Sequence, residues 1–429
     1  MRKSAAWSLP VVCVLFFCSG FPALLYQIVW QRALFAIYGV NIESVTIVVT
    51  AFMLGLGLGS LFGGYISKTA GAPKLLLFGL VELGIGAFGL VSLRVFHFAA
   101  AYTAGIPPLQ TGLVAFLLVV IPTVLMGSTL PLLAAYLVRY SHNTGRSVGI
   151  LYFVNTLGSA VACIAAALFT MRYLGESGSV MLAAAVNGAV GTAVLLLYAA
   201  AGNERNGPAI APEETVPRRA ASGLLPFPAA LLVAGLAGFV SLAYEIAWYR
   251  VYSFTSGGEA WSFSFLLGAY LAGIALGSLL VRYLCRDVTA ANVRRYARWI
   301  ALFIIAANVV GFLVIPAVAR LITHLSYTRT FPLVTLAAAL LGAEFPLICH
   351  VAIRPDSRAG AKLSYIYLGN IIGSALGSYV FGFIFLDHLS CSRPTASSTA
   401  SMSACNIPGI SRTTRPSRPS SRTKAASLP

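Results

Sequence analysis

The sequence predicts an all-α protein that crosses a membrane many times and consists of two copies of one helical bundle. Hydrophobic residues make up 58% of the 429 residues, charged residues only 10%, and the mean hydropathy is +0.85. A soluble domain carries about a quarter charged residues. Apolar runs of roughly 20 residues recur, and each is long enough to cross a bilayer as a helix. The same spaced residues also return more than 200 positions later, which indicates a duplication.

Four sequence blocks occur twice, in the same order and almost without gaps. Two blocks repeat at an offset of 218 residues, and two later blocks repeat at an offset of 215. Ordered matches of this kind indicate a duplicated unit, so both copies are expected to fold alike. The blocks are Gly20-Phe21…Leu24…Tyr26…Ile28…Trp30…Arg32 with Gly238-Phe239…Leu242…Tyr244…Ile246…Trp248…Arg250, Ala51…Gly55…Leu58-Gly59-Ser60-Leu61 with Ala269…Gly273…Leu276-Gly277-Ser278-Leu279, Gly127…Pro131-Leu132…Arg139 with Gly342…Pro346-Leu347…Arg354, and Tyr152…Asn155…Gly158-Ser159-Ala160 with Tyr367…Asn370…Gly373-Ser374-Ala375.

The first copy, residues 1–201, is predicted to have six spans, and the second, residues 227–388, is predicted to have five. A polar, proline-containing linker, residues 202–226, joins them. Two six-span-type repeats enter the membrane in the same direction, so they are parallel and related by an axis along the membrane normal. This is the arrangement of major-facilitator transporters. The expected spans are 9–30, 45–66, 75–96, 112–138, 148–171, 176–200, 227–250, 261–283, 299–319, 331–353 and 363–386.

The distribution of positive charge predicts that the N-terminus is cytoplasmic. With that orientation the inside segments hold 17 Lys or Arg residues and the outside segments hold 6, as the positive-inside rule requires. The formal net charge of +17 is therefore mostly a topology signal. Because no basic segment carries interleaved aromatic residues, nucleic acid is not expected as a partner. The inner membrane is the expected location, and the lipid bilayer is the expected partner.

The two ends of the chain need separate interpretation. Arg2 and Lys3 precede an apolar run as in a secretion signal. The run continues to Trp30 and belongs to the repeat, so an uncleaved first helix is expected. Residues 389–429 are rich in Ser, Thr, Arg and Pro without acidic or aromatic residues. They are expected to be either a disordered tail or the product of a lost reading frame near Leu389.

Three of these blocks resemble a known family. The stretch from Gly20 to Arg32, the Gly55–Ser60 helix and Tyr152…Asn155…Gly158-Ser159 are similar to the membrane portion of bacterial membrane-bound spermidine synthases, the fused major-facilitator/spermidine synthase proteins. The resemblance covers roughly residues 10–388. It implies a polyamine-related role and a cytoplasmic aminopropyltransferase domain after the spans. The Gly-rich nucleotide loop and polyamine-binding acids of that domain do not follow here, so catalysis by this chain alone is not expected.

Polar groups inside the spans are the candidate functional residues. A charged side chain at a helix centre costs about 2.5–3.5 kcal/mol on insertion scales, so such residues usually face a cavity or a partner. Glu245 stands at the repeat position of Gln27, and Glu344 at that of Thr129. Acids on a midplane cavity would suit a cationic solute such as a polyamine, or proton exchange. Their alternative roles are packing or, for Glu245, an interfacial contact. The candidate cavity residues are Glu82, Glu245, Glu344, Gln27, Asn155 and Asn370; the two asparagines either bind ligand or bond across helices.

Several glycines recur at i,i+4 spacing within the apolar helices. Gly55, Gly57 and Gly59 follow no strand, so a phosphate-binding loop is not indicated. Four-residue spacing places the glycines on one face, which lets another helix approach closely. The glycines predicted to pack helices are Gly55, Gly59, Gly63, Gly273, Gly277, Gly373 and Gly377.

Other motifs are uninformative about chemistry. Tyr26 with Trp30, and Tyr244 with Trp248, lie at i,i+4 spacing near span ends and are predicted to be aromatic-belt anchors. The seven cysteines contain no C-x-x-C pair, the five histidines do not cluster in sequence, and no nucleophile elbow or Walker loop occurs. No metal and no cofactor are expected. A membrane module of a polyamine-synthesising protein, for anchoring or substrate passage, and a secondary transporter of small cationic solutes are both consistent with the sequence.

Overall fold

The computed structural model describes residues 8–38, 42–69, 73–103, 105–106, 108–200, 225–285 and 290–385. Within these ranges the regular structure is entirely helical, and a helix occupies each of the eleven predicted spans. The all-α membrane fold predicted from hydropathy is therefore confirmed. The predicted linker lies outside the described residues except for residues 225 and 226, and the predicted tail lies outside them completely.

Residues 201–226 separate α6 from α7, and the other helices follow one another with short connections. Two π-helical segments, here called π1 and π2, extend α5 and α11 directly. The bounds are α1 Leu9–Tyr38, α2 Ile42–Ser67, α3 Lys74–Thr103, α4 Pro108–Ser141, α5 Thr144–Ala165, π1 Ala166–Leu174, α6 Gly175–Ala200, α7 Phe227–Thr255, α8 Ala260–Leu284, α9 Ala290–Leu321, a 3₁₀ turn Tyr327–Thr330, α10 Phe331–Ala352, α11 Ala359–Tyr379 and π2 Val380–Phe385.

The outer surface of the bundle is apolar, as lipid contact requires. Nine of the described helical stretches are long and apolar enough to cross a bilayer, with α5, π1 and α6 counted as one stretch. Large side chains such as Phe254 and Phe312 are 88% and 71% exposed. Exposure of so many Leu and Phe side chains would be unfavourable in water, so this surface is suited to the hydrocarbon core.

The same helix pairs form in both copies, and glycine makes the closest approaches. In the α1–α5 pair, Gly20 lies against the backbone of Asn155. In the α7–α11 pair, Gly238 lies against the backbone of Asn370 at the repeat-equivalent positions. A Cβ atom at either glycine would collide with backbone, which cannot move aside. Close backbone contact of this kind is how helices associate inside a membrane.

The predicted packing glycines lie at such contacts. In α2 they face α4: Gly55 meets Thr123, Gly59 meets the backbone of Val124, and Gly63 meets that of Ser128. In the second copy the corresponding pair is α8 with α10. The remaining glycines and their neighbours are Gly273 with Thr335, Gly277 with Ala339, Gly373 with Gly235 and Gly377 with Phe239.

Two further helix pairs hold the halves together, and the repeat relates one to the other. Gly268 of α8 packs on Cys163 and Ile164 of α5. In the related pair, the Ser60 hydroxyl of α2 donates a 3.1 Å hydrogen bond to the carbonyl of Ser364 in α11. In the repeat, α5 corresponds to α11 and α8 corresponds to α2. A two-fold axis between parallel repeats therefore relates the α5–α8 contact to the α11–α2 contact.

Both aromatic pairs stack inside the protein; Tyr26, Trp30 and Trp248 are buried and Tyr244 is partly buried, so the prediction that they are aromatic-belt anchors is wrong. Tyr26 and Trp30 are 0% and 1% exposed, and their rings stack with centroids 4.8 Å apart. Tyr244 and Trp248 stack at 5.4 Å. The Trp30 indole donates a 3.0 Å hydrogen bond to Ser92 of α3, so the polar ring atom is satisfied inside the protein instead of at the membrane surface.

The π-helices also repeat. π1 begins at Ala166, and π2 begins at Val380, one residue from the repeat-equivalent position. A π-helix is rare and occurs frequently at functional sites. Its return in the second copy indicates that the duplicated unit requires this wider turn at the end of its fifth helix.

Candidate functional site

A cavity of about 90 Å³, lined by both polar and apolar residues, lies among the helices of the first copy and reaches α11 of the second. Its lining contains no lysine and no arginine. The lining residues are Ser19, Ala23, Leu24, Phe52, Leu56, Ile85, Met126, Gly127, Thr129, Leu130, Tyr152, Asn155, Ser159, Asn187 and Tyr367.

A buried carboxyl group, that of Glu82 on α3, sits directly behind this lining. Ser19 of α1 donates a 2.6 Å hydrogen bond to Glu82 Oε1, and Asn187 Nδ2 of α6 donates a 2.7 Å hydrogen bond to Glu82 Oε2. Glu82 is 0% exposed. Ser19, Glu82 and Asn187, here called the Glu82 group, therefore join three helices through one carboxyl group.

One acceptor of the Glu82 group has no partner. Asn187 lines the cavity and is 1% exposed, yet its Oδ1 makes no hydrogen bond with the described residues. An unpaired buried acceptor costs about 1–3 kcal/mol. A buried acceptor without a partner therefore lies next to the carboxyl group, on a residue that lines the cavity.

Tyr152 and Tyr367 mark the pseudo-two-fold axis. They are repeat-equivalent residues of α5 and α11, and both line the cavity. Both rings also pack on Phe345 of α10, with centroid distances of 5.4 Å and 5.7 Å. Equivalent residues approach one another only near the axis that relates them, so this end of the cavity lies at the centre of the molecule.

A second polar group lies in the second copy, around Tyr270 of α8. The Tyr270 hydroxyl is within electrostatic range of the carboxyl groups of Glu245 and Glu344 and of Tyr152, and it forms a short hydrogen bond with Ser241. Glu344 is 2% exposed, and its Oε1 has no hydrogen-bond partner among the residues described. Glu245, Tyr270 and Glu344 are here called the Tyr270 group, which lies near the axial Tyr152.

The other residues predicted for a site occupy different environments. Asn155 lines the cavity and donates a 3.4 Å hydrogen bond to the Phe16 carbonyl. Asn370 donates a 3.0 Å hydrogen bond to the Ala234 carbonyl. Gln27 is buried in α1 and does not line the cavity. The two asparagines thus make the cross-helix bonds considered from the sequence, at equivalent positions in the two copies.

None of the three predicted acids is itself a lining residue of the cavity. Glu82 reaches it through Ser19 and Asn187, whereas Glu245 and Glu344 lie around Tyr270. One cavity shared by all three acids stays a prediction.

The sequence interpretation missed three residues of these groups: Ser19, Asn187 and Tyr270. Each is a polar side chain within an apolar run, and this feature could have identified them from the sequence. The repeat counterpart of Ser19 is Ala237, and that of Tyr270 is Phe52. A comparison of the two copies would therefore have identified both positions as places where the halves differ in polarity.

Comparisons with known proteins bear on both the fold and the role. No protein-family model matches this chain. Over 167 residues, 37% of its length, it is 29% identical to polyamine aminopropyltransferase 2 of Ralstonia nicotianae (strain ATCC BAA-1114 / GMI1000). Polyamine aminopropyltransferase 1 of the same strain matches at the same identity. The match covers 31% and 30% of these two relatives, so the chain spans about a third of their length where they align.

Solved structures of similar shape belong to transporters. The proton:xylose symporter XylE, bound to 6-bromo-6-deoxy-D-glucose, superimposes with a TM-score of 0.60 at 12% identity, over 91% of this chain and 90% of that one. A bacterial homologue of the iron transporter ferroportin gives 0.54 at 14% identity, over 89% and 92%. The transporter FucP gives 0.51 at 15%, over 88% and 92%. This chain is a multi-pass membrane protein with the fold of the major facilitator superfamily.

Proposed function

We propose that this chain is the membrane module of a polyamine-related protein and that it passes a small cationic solute across the inner membrane. The observation that carries the proposal is the Glu82 group. It places a buried carboxyl group and the unpaired Asn187 Oδ1 beside a cavity whose lining holds no positive charge. The match to polyamine aminopropyltransferases supports the solute class.

The chemistry of the cavity suits a primary ammonium group. Such a group donates up to three hydrogen bonds and accepts none, which matches the free acceptor of Asn187. A water molecule needs about 10–15 Å³ of cavity volume, so 90 Å³ accommodates one ammonium end of an alkylamine with the methylenes next to it. The Glu82 carboxyl group behind the lining would balance the charge.

Binding of radiolabelled putrescine and spermidine to the purified chain in lipid nanodiscs tests the proposal. Glu82→Gln keeps the volume but removes the charge and replaces one of the two acceptor oxygens with an NH2 group. We therefore expect roughly tenfold weaker binding, the loss of one charge-assisted interaction. Glu176→Gln, at the first turn of α6 and outside the cavity lining, is the matched control and should bind as the wild type does. Equal binding by the two variants would contradict the proposal.

The second candidate function is secondary transport of small cationic solutes, favoured by the major-facilitator fold. Proteoliposomes distinguish the two. A coupled transporter accumulates putrescine against its gradient when a proton gradient is imposed, whereas a passage module only equilibrates it. Binding without any flux would leave the anchoring role, in which the spans hold a catalytic domain at the membrane.

A further inference from the structure

A second pocket, of about 650 Å³, opens at the end of the bundle where α1 and α5 finish. This end, opposite the start of α1, is here called the distal face, and the pocket is called the distal pocket. One wall comes from α1 and π1 of the first copy, and the other comes from α8 and the turn before α10 in the second. Its lining residues are Arg32, Ala166, Ala167, Leu168, Met171, Arg172, Trp261, Ser264, Phe265 and Thr328.

The charge of this pocket is of one sign. Arg32 and Arg172 are its charged lining residues, and no acidic side chain lines it. No ion pair with a carboxylate is formed by either arginine within the described part of the chain. The Arg172 guanidinium lies 5.5 Å from the centroid of the Tyr173 ring. A cleft with charges of one sign and low-dielectric walls concentrates ions of the opposite sign.

The second copy differs at one of the two positions. The repeat counterpart of Arg32 is Arg250, but the counterpart of Arg172 is Asp387, which lies outside the described residues. The first copy therefore has two positive residues at these positions, whereas the second copy has one positive and one negative residue. Two positive charges at these places occur in the first copy only, and they suit an anion.

The rest of the distal pocket is apolar and aromatic. Leu168 and Met171 come from π1, whose wider turn forms one wall. Trp261 and Phe265 come from α8, with ring centroids 5.2 Å apart, edge to face. Thr328 and Ser264 add two hydroxyl groups. The pocket thus has positive charge in one part and apolar side chains in another. It suits a ligand that has both a negatively charged group and an apolar part.

We propose that the distal pocket binds an amphiphilic anion: a phosphate group held by Arg32 and Arg172, with an apolar chain along Leu168, Met171 and Phe265. Arginine forms paired hydrogen bonds to phosphate oxygens, and the two hydroxyl groups are further donors. The phosphate is supplied either by the headgroup of an anionic phospholipid or by a free phosphate compound. The site is separate from the Glu82 cavity, with which it shares no lining residue.

Three probes test the inference on the purified chain in detergent: dioctanoyl phosphatidylglycerol, dioctanoyl phosphatidylcholine and inorganic phosphate. We expect phosphatidylglycerol to bind and to raise the melting temperature, and the zwitterionic lipid to bind at least about tenfold more weakly. Arg32→Gln and Arg172→Gln should each weaken phosphatidylglycerol binding about tenfold, as expected for the loss of one charged hydrogen-bonding partner.

Arg250→Gln is the matched control, because Arg250 is the repeat counterpart of Arg32 and does not line the pocket. It should bind phosphatidylglycerol as the wild type does. If inorganic phosphate competes with the lipid, and if this competition requires both arginines, the same site also binds free phosphate. The inference is overturned if the two lipids bind equally, or if Arg250→Gln weakens binding as much as Arg32→Gln does. Melting temperatures without ligand show that each variant is folded.

Discussion

Ser19 donates a hydrogen bond of 2.6 Å to the carboxyl group of Glu82, from which it is separated by 63 residues. This bond links α1 to α3, and the Asn187 amide extends the link to α6. The carboxyl group thus has two partners and complete burial, which is how a membrane protein tolerates an acid within a span. It also keeps the acid next to the cavity instead of facing lipid.

The first prediction concerns the stability of the Glu82 group. Ser19→Ala and Asn187→Leu each remove one donor to a buried carboxyl group, so we expect each to lower the free energy of unfolding by about 0.5–2 kcal/mol. Ser326→Ala removes an exposed hydroxyl group and should change it by less than about 0.5 kcal/mol. Unfolding in mixed micelles measures all three, and an effect of Ser326→Ala as large as the others would contradict the assignment.

The second prediction concerns helix packing. Gly373→Ala places a methyl group against the Gly235 carbonyl of α7, so we expect a loss of about 1–3 kcal/mol from overpacking. Gly188→Ala, in α6, has open space around the added atom and should be neutral or stabilising by up to about 1 kcal/mol. The same unfolding measurement compares them. Equal stability of the two variants would show that α7 and α11 do not pack closely.

The third prediction concerns the acids of the second copy. Glu245→Gln and Glu344→Gln keep the side-chain volume and remove the charge beside Tyr270. If all three acids serve one cationic pathway, each variant should lose uptake or its pH dependence in proteoliposomes, while expression stays near the wild-type amount. Glu176→Gln should retain both. Unchanged transport in both variants, with loss in Glu82→Gln, would restrict the pathway to the first copy.

The fourth prediction concerns topology. From the count of positive charges we expect the linker, residues 202–226, to be cytoplasmic and the turn before α10 to be on the outer face. With the native cysteines replaced, Thr215→Cys should be protected from a membrane-impermeant maleimide in intact cells, and Ser326→Cys should be labelled. The reverse pattern would invert the proposed orientation.

The fifth prediction concerns catalysis. The nucleotide loop and polyamine-binding acids implied by the resembled synthase domain are not found in this sequence, so the purified chain should not convert putrescine and decarboxylated S-adenosylmethionine to spermidine. Chromatography of the reaction mixture measures this directly. A soluble spermidine synthase serves as the positive control, and spermidine formed by this chain alone would refute the expectation.

The sequence by itself determined the fold class, the eleven helices and the repeat. Hydropathy over about 20 residues is a local property, and it predicts where a helix crosses the bilayer. The repeated residue pattern can likewise be seen in the sequence alone, and it predicts the duplication. Glycine spacing likewise predicted close helix pairs, because only glycine lets backbones approach so closely. The environment of Tyr26 and Trp30 was predicted wrongly. Their position near the end of a span does not determine whether that face of the helix contacts lipid or another helix.

Only the tertiary structure decided which polar side chains meet. Glu82 and Asn187 are 105 residues apart in sequence, and their contact depends on how α3 and α6 face each other. Tyr152 and Tyr367 approach the axis only because the two copies associate through α5–α8 and α2–α11. Arg32 and Arg172 line one pocket because α1 packs against α5 within the first copy. Such sites form where faces of different helices come together, and no local pattern of residues records that geometry.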